Sequence, residues 1–388
     1  MFRTLLISFV NWDSLMELPG ILKNGGCTVD IFCIKDSWAL QNESYDKWIE
    51  ASIDEASFVK ELLTYIEKNG ANYQWIIPGD DIIIRILNEQ PLSEALFYKI
   101  MPLTKIENRQ LLGSKAGFSE LCNKYSIKTP KYLIYNETMT SDSIGDYMGF
   151  PFLMKVDKSE SGYGVFMCEN KKDITTHLAN IKNKQNLVFQ QFIKGYDVNV
   201  EVLYRHNELL VYSYSRTLTI MGKFGVSTQR LFYQNPEIEP VLRKMGKDFG
   251  LSGFGNVVFM YSETENTHYL IETDVRPNAW MYYGKFMGND FSEGIKRMIK
   301  GDLHVVQPTE SQAKQILKIS LYKKDMYRCI NEKDIKGLMA WITNKDNCRQ
   351  YIPKYDRKLL AACDKYLWDS FKELAVGKIK KTVGLKNK

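Results

Sequence analysis

Residues 151–165 read Pro-Phe-Leu-Met-Lys-Val-Asp-Lys-Ser-Glu-Ser-Gly-Tyr-Gly-Val, and the fold prediction starts from this stretch. An apolar run carries Lys155, a Ser/Gly-rich turn follows, and a second apolar run begins at Val165, which predicts a β-hairpin with a flexible tip. Small residues let backbone N–H groups approach phosphate oxygens, and the lysine adds a positive charge. The stretch is not a Walker A loop, because the lysine precedes the glycines and no helix follows. An ordinary glycine-containing hairpin is the alternative interpretation.

A second informative segment follows at residues 189–202, Phe-Gln-Gln-Phe-Ile-Lys-Gly-Tyr-Asp-Val-Asn-Val-Glu-Val. One strand turns at Lys194-Gly195 and continues as another. Backbone groups at such a crossover can hold an adenine ring, and a nearby acid can accept hydrogen bonds from ribose hydroxyls. Many hairpins share this pattern, so the segment indicates little alone.

The third segment, residues 269–278, reads Tyr-Leu-Ile-Glu-Thr-Asp-Val-Arg-Pro-Asn. Residues two apart on a strand point to one face, which aligns Glu272, Asp274 and Arg276. Two carboxylates on one face suit Mg²⁺ that bridges phosphates. The arginine can stabilise a transferring phosphoryl group or anchor a carboxylate. A solvated charged face is the alternative, but the apolar lead-in and Pro277 disfavour it.

Taken in order, the three segments resemble the ATP-grasp superfamily, which includes D-alanine–D-alanine ligase, biotin carboxylase and the carbamoyl-phosphate synthetase large chain. The resemblance covers roughly residues 105–300, and residues 1–100 resemble the α/β domain that usually precedes this fold. It implies ATP and Mg²⁺ as cofactors.

The resemblance also implies a role for each matching residue. The predicted nucleotide-binding residues are the first lysine, the second lysine, the phosphate-covering loop, the adenine hinge and the ribose acid, which are Lys115, Lys155, Ser159, Ser161, Gly162, Gly164, Gln190, Gln191, Ile193 and Asp197. Glu272 and Asp274 are the predicted metal ligands. Arg276 and Lys155 are the predicted catalytic residues.

Four positions depart from the family pattern. Gln190 replaces the usual hinge acid, Asp197 is one methylene shorter than the usual ribose acid, and Asp274 stands where asparagine is usual. Val258 occupies a position at which relatives often carry a metal-binding side chain. A metal ligand could therefore be supplied elsewhere, for instance by Asn256, and two-metal catalysis is in doubt.

The predicted fold class is α/β and α+β. Strands alternating with helices indicate a parallel α/β domain at residues 1–103. The pattern beyond this domain indicates antiparallel sheets, and the resemblance implies an ATP-grasp domain at 104–303, with a small subdomain at about 131–190 and a large one at about 191–303. Residues 304–388 are predicted to form a mostly helical extension. Its role stays open between covering the site, forming a homodimer and binding a partner.

Several smaller features keep two interpretations. The turn Pro78-Gly79-Asp80-Asp81 follows a strand at the edge where open α/β sheets bind ligands, yet a structural turn explains it equally well. Arg216 and Arg230 flank a basic loop that either contacts a phosphate or substrate, or is merely solvated. The lysine-rich tail after Phe371 could touch an acidic surface, although a solvated chain end is the simpler interpretation.

Composition narrows the class of protein. The chain has 388 residues, too many for one small core, and a net charge of +6, which suits a polyanionic small ligand and is too weak to indicate nucleic-acid binding. Scattered cysteines without metal-site spacing predict reduced thiols in the cytoplasm. No apolar stretch reaches the roughly 18 residues of a membrane span.

The function predicted from these observations is an ATP- and Mg²⁺-dependent ligase. It would activate a carboxylate as an acyl-phosphate, and an amine or thiol would attack it, so the expected partners are small-molecule carboxylate and amine substrates. Two alternatives remain: a bicarbonate-using carboxylase or carbamoyl-phosphate-type enzyme, and an ATP-binding module with weakened catalysis.

Overall fold

The structure, a computed structural model, describes residues 2–159, 164–222 and 225–382. Its N-terminal part is a parallel sheet in the strand order β3-β2-β1-β4. The strands and helices of this part are β1 (Phe2–Ser8), α1 (Leu18–Asn24), β2 (Cys27–Cys33), β3 (Lys47–Glu50), α2 (Glu55–Asn69), β4 (Trp75–Pro78), α3 (Asp81–Glu89) and α4 (Glu94–Ile100).

Burial explains why this sheet is parallel. Leu5, Leu6 and Ile7 in β1 are all fully buried, although successive side chains point to opposite faces. Helices must therefore cover both faces, which is the usual arrangement of a parallel sheet. The carboxyl ends of β1 and β4 lie side by side at one edge.

A small antiparallel sheet follows, in the order β5-β8-β6-β7. Its core contains Phe152, Met154 and Phe189, which pack against two helices on one face. The elements of this region are α5 (Lys115–Lys124), β5 (Tyr132–Ile134), α6 (Ser141–Met148), β6 (Phe152–Lys155), β7 (Val165–Cys168), α7 (Lys171–Asn180) and β8 (Val188–Gln191).

A larger antiparallel sheet has the order β13-β12-β9-β10-β11-β14, in which β14 is Leu317–Ser320. Alternate residues of its central strand, such as Val198, Val200 and Val202, pack into the same core as the helices of the first sheet. The elements are β9 (Tyr196–Arg205), β10 (Glu208–Ile220), β11 (Ser227–Phe232), α8 (Glu239–Met245), β12 (Gly253–Ser262), β13 (Thr267–Asp274) and α9 (Phe291–Ile299).

The C-terminal region is helical but is not an independent appendage. Its strand β14 pairs with β11 and so extends the large sheet, which the sequence pattern did not predict. The sequence pattern predicts helices near 332–343 and 356–375, and both ranges are helical, but the helix at Tyr322–Glu332 was not predicted either. The elements are α10 (Glu310–Ala313), β14 (Leu317–Ser320), α11 (Tyr322–Glu332), α12 (Ile335–Thr343) and α13 (Arg357–Thr382).

The predicted fold class is confirmed: a parallel α/β part precedes two antiparallel sheets with helices. The domain boundaries at about 103 and 303 stay predictions. All seven cysteines are buried and unpaired, as reduced thiols would be. No helix within the described ranges is both long and apolar enough to cross a bilayer.

Candidate functional site

A cleft of about 570 Å³ lies between the small and the large antiparallel sheets, and the N-terminal part closes one side. It gathers most of the residues that the sequence singled out. The predicted residues that line it are Lys115, Lys155, Ser159, Gln190, Gln191, Ile193, Asp197, Glu272, Asp274 and Arg276.

The structure describes only the two ends of the Ser/Gly-rich loop, Ser159 and Gly164. Ser161 and Gly162 lie outside the described residues. Gly164 is not among the residues that line the cleft; its carbonyl accepts a hydrogen bond of 2.8 Å from the Val156 N–H and closes the hairpin. Its φ of +78° explains the glycine at this position.

Lys155 is a half-buried cation of the small sheet. Its Nζ donates a hydrogen bond of 2.6 Å to Gln190 Oε1 on the neighbouring strand. Burial lowers the pKa of Lys155 to about 8, and Lys115 acts in the same direction, against Glu272 and Asp197. A phosphate in the cleft would favour the charged ammonium, so this position suits an anion.

Lys115 begins α5 and is tied to the strand that carries Lys155. Its Nζ donates to the carbonyls of Asp157 (2.9 Å) and Ser159 (2.6 Å). Asp157 in turn accepts bonds from Ser114 Oγ and from the N–H of Ala116, both at 3.0 Å, at the start of the helix. Lys115 is therefore held beside Ser159, where the Ser/Gly-rich loop begins.

The hinge between the sheets depends on Gly195. A Cβ there would stand 1.8 Å from the carbonyl oxygen of Tyr261 on β12, so no larger residue fits the crossover. The crossover places Gln190 and Ile193 on one side of the cleft and Asp197 at the start of β9. Burial raises the pKa of Asp197, against the opposing effect of Arg230 and Lys155.

The predicted metal ligands lie at the end of β13. Asp274 is opposite Asn256 in the strand register, and Glu272 is opposite Val258. The side-chain oxygen of Asn256 is buried without a hydrogen-bond partner, and Asn256 lines the cleft. Within the part of the chain that the structure describes, no three His, Cys, Asp or Glu residues form a metal-binding group. The available donors are thus two carboxylates and one amide oxygen.

Arg276 joins this carboxylate pair to the N-terminal sheet. Its Nε donates to Asp81 Oδ2 at 2.7 Å, its Nη2 donates to Asp274 Oδ2 at 3.0 Å, and its guanidinium lies 4.6 Å from the Trp12 ring centroid. Burial raises the pKa of Asp274 to about 8; Arg276 opposes this shift, whereas Asp81 and Glu272 add to it.

The turn after β4 is both a structural turn and part of the site. The carboxylate of Asp80 accepts bonds from the N–H groups of Phe9 (2.9 Å), Val10 (3.3 Å) and Ile83 (2.8 Å), and so fixes the loop after β1. The next residue, Asp81, starts α3 and reaches the cleft.

The sequence pattern missed several residues of the cleft and left the roles of Asp81 and Arg230 open. Arg230 is buried in an ion pair of 2.7 Å with Glu201 and lies 4.5 Å from the Trp280 ring centroid. Lys324 comes from α11 in the C-terminal region and pairs with Asp13 at 3.1 Å. The missed residues that line the cleft include Trp12, Ser14, Asn199, Asn278, Trp280 and Lys324.

For only some of these residues does the sequence contain a pattern that could have predicted a place in the cleft. Asn199 follows Asp197 by two positions on a strand and so shares its face. Arg230 stood beside the basic loop noted above. Nothing in the local pattern around Lys324 points to a cleft, because its position depends on how α11 packs.

Comparisons with known proteins indicate the same fold as the cleft and its two antiparallel sheets. Residues 109–216 match the RimK-like ATP-grasp domain. A carbamoyl-phosphate synthase from Methanobrevibacter smithii is 23% identical over 181 residues, which is 45% of this chain and 48% of the relative. The chain therefore matches only about half the length of that curated relative.

Two solved structures have the same fold at low identity. The first is the Staphylococcus aureus N5-carboxyaminoimidazole synthetase, at a TM-score of 0.64 and 16% identity, covering 86% of each chain. The second is the biotin carboxylase domain of the Hydrogenobacter thermophilus 2-oxoglutarate carboxylase, solved as a dimer with MgADP, ADP and bicarbonate. It has a TM-score of 0.60 and 14% identity and covers 80% of this chain and 72% of that one. The resemblance to the ATP-grasp superfamily is confirmed, and the chain has its fold.

Proposed function

We propose that this chain is an ATP- and Mg²⁺-dependent, ADP-forming ligase that activates a carboxylate as an acyl-phosphate for attack by an amine or a thiol. One observation carries the proposal: a single cleft gathers two lysines, a hinge, a half-buried acid, a carboxylate pair and an arginine from separate parts of the chain. The confirmed fold supports it, because the relatives with this fold include proteins named as ligases and synthetases.

The nucleotide occupies the half of the cleft between the two sheets in this proposal. Backbone groups beside Gln191 and Ile193 hold the adenine, and Asp197 accepts hydrogen bonds from the ribose. Lys115 and Lys155 lie on the phosphate side, where a fixed charge in a buried cleft stabilises charge that develops during transfer. Ser159 and Gly164 lie on either side of the loop that would cover the phosphates.

The residues present fit a magnesium ion that also binds phosphate. Mg²⁺ usually takes only one or two protein carboxylates and completes its six oxygen ligands with phosphates and water. Glu272, Asp274 and the orphaned oxygen of Asn256 would hold it, and Val258 contributes nothing. When bound, the ion would polarise phosphoryl oxygens and neutralise their charge.

The substrate half of the cleft is walled by the N-terminal and C-terminal regions. Arg276, Lys324 and Arg85 bring positive charge there, and Trp12 and Trp280 add apolar rings. A substrate carboxylate oxygen would attack the γ-phosphorus, and ADP would leave. The amine nitrogen would then attack the acyl carbon, and phosphate and a proton would leave. Arg276 would steady the acyl-phosphate.

The test is trapping of the activated acid. The purified chain is incubated with ATP, Mg²⁺, hydroxylamine and single members of a panel of organic acids, and both hydroxamate and ADP are measured. We expect one class of acid to give hydroxamate and ADP in equal amounts. The absence of both products across the panel, with ATP still bound in calorimetry, would instead identify an ATP-binding module.

A bicarbonate-using enzyme is the second candidate, because the curated relative is named a carbamoyl-phosphate synthase and one structural neighbour was solved with bicarbonate. The two indole rings favour an organic acid over bicarbonate, which needs only polar contacts. Bicarbonate-stimulated ADP release without any hydroxamate from organic acids would favour the second candidate.

A further inference from the structure

A second cavity, of about 340 Å³, lies apart from the cleft, between β4, the end of α4 and the start of β12. Its volume is within the range of small-molecule sites. Its walls are largely apolar, and the rings of Trp75 and Phe254 stack at 5.1 Å with an interplanar angle of 21°. The principal apolar lining residues are Trp75, Ile77, Ile100, Met101, Leu103 and Phe254.

Arg205 lies at the end of β9 and lines this cavity, and in the part of the chain that the structure describes no acidic side chain of the lining balances its charge. It shares a strand face with Leu203, whose side chain packs in the same cluster as Trp75 and Phe254. Among the described residues, no hydrogen bond or ion pair engages its guanidinium, and none of the described lining residues is an aspartate or glutamate. Lys99 also lines the cavity, but its Nζ donates to the Tyr73 carbonyl at 2.6 Å.

The electrostatics agree with the geometry. Burial lowers the pKa of Arg205, and no acid opposes the shift. Burial and the charge of Arg205 also lower the pKa of the neighbouring His206. Arg205 is half-buried, and a charge that is partly removed from water is stabilised by a partner of opposite sign. An anion in the cavity would supply the missing partner.

We infer that this second cavity binds a small apolar organic acid, with its carboxylate paired to Arg205 and its apolar body against the Trp75–Phe254 pair. A guanidinium can bind a carboxylate through two parallel hydrogen bonds, which favours this group over a halide ion. The site is distinct from the cleft. Even so, the two adjoin at Val275, which lines both, and Val275 and Pro277 flank Arg276.

Naphthoate is a suitable probe, because it joins a carboxylate to a flat apolar body. Its binding is measured by calorimetry without nucleotide, so the result does not depend on the proposed function. We expect Arg205→Met to weaken binding at least about tenfold, because one charge-assisted pair is lost while the apolar stem is kept. Naphthalenemethanol, the neutral analogue, should bind both proteins equally weakly.

Two control variants make the result specific. Arg297→Met removes an arginine that pairs with Glu293 on α9, away from the cavity, and should leave naphthoate binding unchanged. Lys155→Met alters the cleft and should also leave it unchanged. Loss of naphthoate binding in Lys155→Met, with normal binding in Arg205→Met, would place the probe in the cleft and overturn the inference.

Methyl NMR of the unaltered protein tests the site even if Arg205→Met does not fold. Naphthoate should shift the methyl signals of Ile77, Ile100 and Met101, which line the second cavity. Shifts confined to Met260 and Ile271, which line the cleft, would contradict the inference. So would the absence of any shift at millimolar probe.

Discussion

At the scale of single residues, Lys155 shows how burial prepares a binding group. The lysine lies in a strand of the small sheet, its ammonium is bonded to a neutral amide at 2.6 Å, and burial lowers its pKa to about 8. Gln190 in place of an acid leaves the charge of Lys155 only partly compensated. A phosphate would supply the negative charge that balances the Lys155 ammonium.

The first prediction follows from that arrangement. Lys155→Met should weaken ATP binding at least tenfold, since a hydrogen bond to a charged group contributes about 1.5–3 kcal/mol. Calorimetry with ATP measures the effect. Lys172→Met, which changes an exposed lysine on α7, is the matched control and should alter the affinity less than twofold. Equal ATP affinities of the unaltered protein, Lys155→Met and Lys172→Met would show that Lys155 does not contribute to nucleotide binding.

The second prediction concerns Asn256, whose side-chain oxygen is buried without a partner beside Asp274. Asn256→Leu keeps the branched shape of the side chain and lacks the oxygen, so the Mg²⁺ concentration for half-maximal ADP formation should rise about tenfold or more. ATP affinity measured without metal should stay within about threefold.

Thr273→Val is the control for this substitution. Thr273 also has a buried hydroxyl without a partner, but it lies on the alternate face of β13. Its substitution should leave the Mg²⁺ requirement within twofold. The same rise in both variants would show that loss of a buried oxygen, rather than of a metal ligand, is responsible.

At the scale of elements, the start of α3 links a helix cap to the cleft. Asp80 is fully buried, caps α3 and also holds the loop after β1, while the adjacent Asp81 pairs with Arg276. Burial raises the pKa of Asp80 to about 6, against three backbone hydrogen bonds that lower it. One residue thus positions two elements that line the cleft.

The third prediction tests this link. Asp80→Ala leaves three backbone N–H groups without their acceptor and should lower the free energy of unfolding by about 3 kcal/mol. It should also weaken ATP-dependent activity, because Asp81 and Trp12 lose their support. Urea unfolding and ADP release are the measurements.

Asp54→Ala is the comparison, since Asp54 caps α2 in the same manner at an exposed site far from the cleft. It should cost about 1 kcal/mol and leave activity unchanged. A similar loss of activity in both variants would mean that stability alone, and not positioning, underlies the effect.

At the scale of the whole molecule, the C-terminal region joins the N-terminal part through Glu17. The Tyr355 hydroxyl donates to the Glu17 carboxylate, and Tyr355 stacks on Tyr282 at 4.8 Å, with Lys285 3.6 Å from the Tyr282 ring centroid. Burial raises the pKa of Glu17 to about 7; Tyr355 and Lys285 oppose this shift, and Asp356 adds to it. This junction fixes the extension whose Lys324 reaches the cleft.

The fourth prediction is a pH dependence of stability. The folded state holds a proton on Glu17 more tightly than the unfolded state does, so this residue's contribution to stability falls as pH rises from about 4.5 to about 7. The fall amounts to about 3 kcal/mol. Glu17→Gln remains neutral, so its stability relative to the unaltered protein should increase by that amount over this range.

Urea unfolding at pH 5 and pH 8 gives the comparison. Glu67→Gln, at an exposed position on α2, should show no such change relative to the unaltered protein. A Glu17→Gln variant with the same pH dependence as the unaltered protein would contradict the assignment of a neutral, buried Glu17.

The sequence by itself determined the fold class, the order of the three segments that meet at the cleft, and the cleft residues Lys155, Asp197, Glu272 and Asp274. Such features are local: strand periodicity places residues two apart on one face, and glycine marks a turn whose backbone must approach another strand. For the same reason the departure at Val258 was visible before the structure.

Only the tertiary structure decided which distant groups complete the site. Arg276 meets Asp81 across 195 positions of sequence, Lys324 arrives on a helix that follows an unpredicted edge strand, and Arg205 faces a cavity between elements remote in the chain. These positions depend on how sheets and helices pack on one another. A local pattern of apolar and polar residues carries no information on that packing, because it specifies only the face that each element buries.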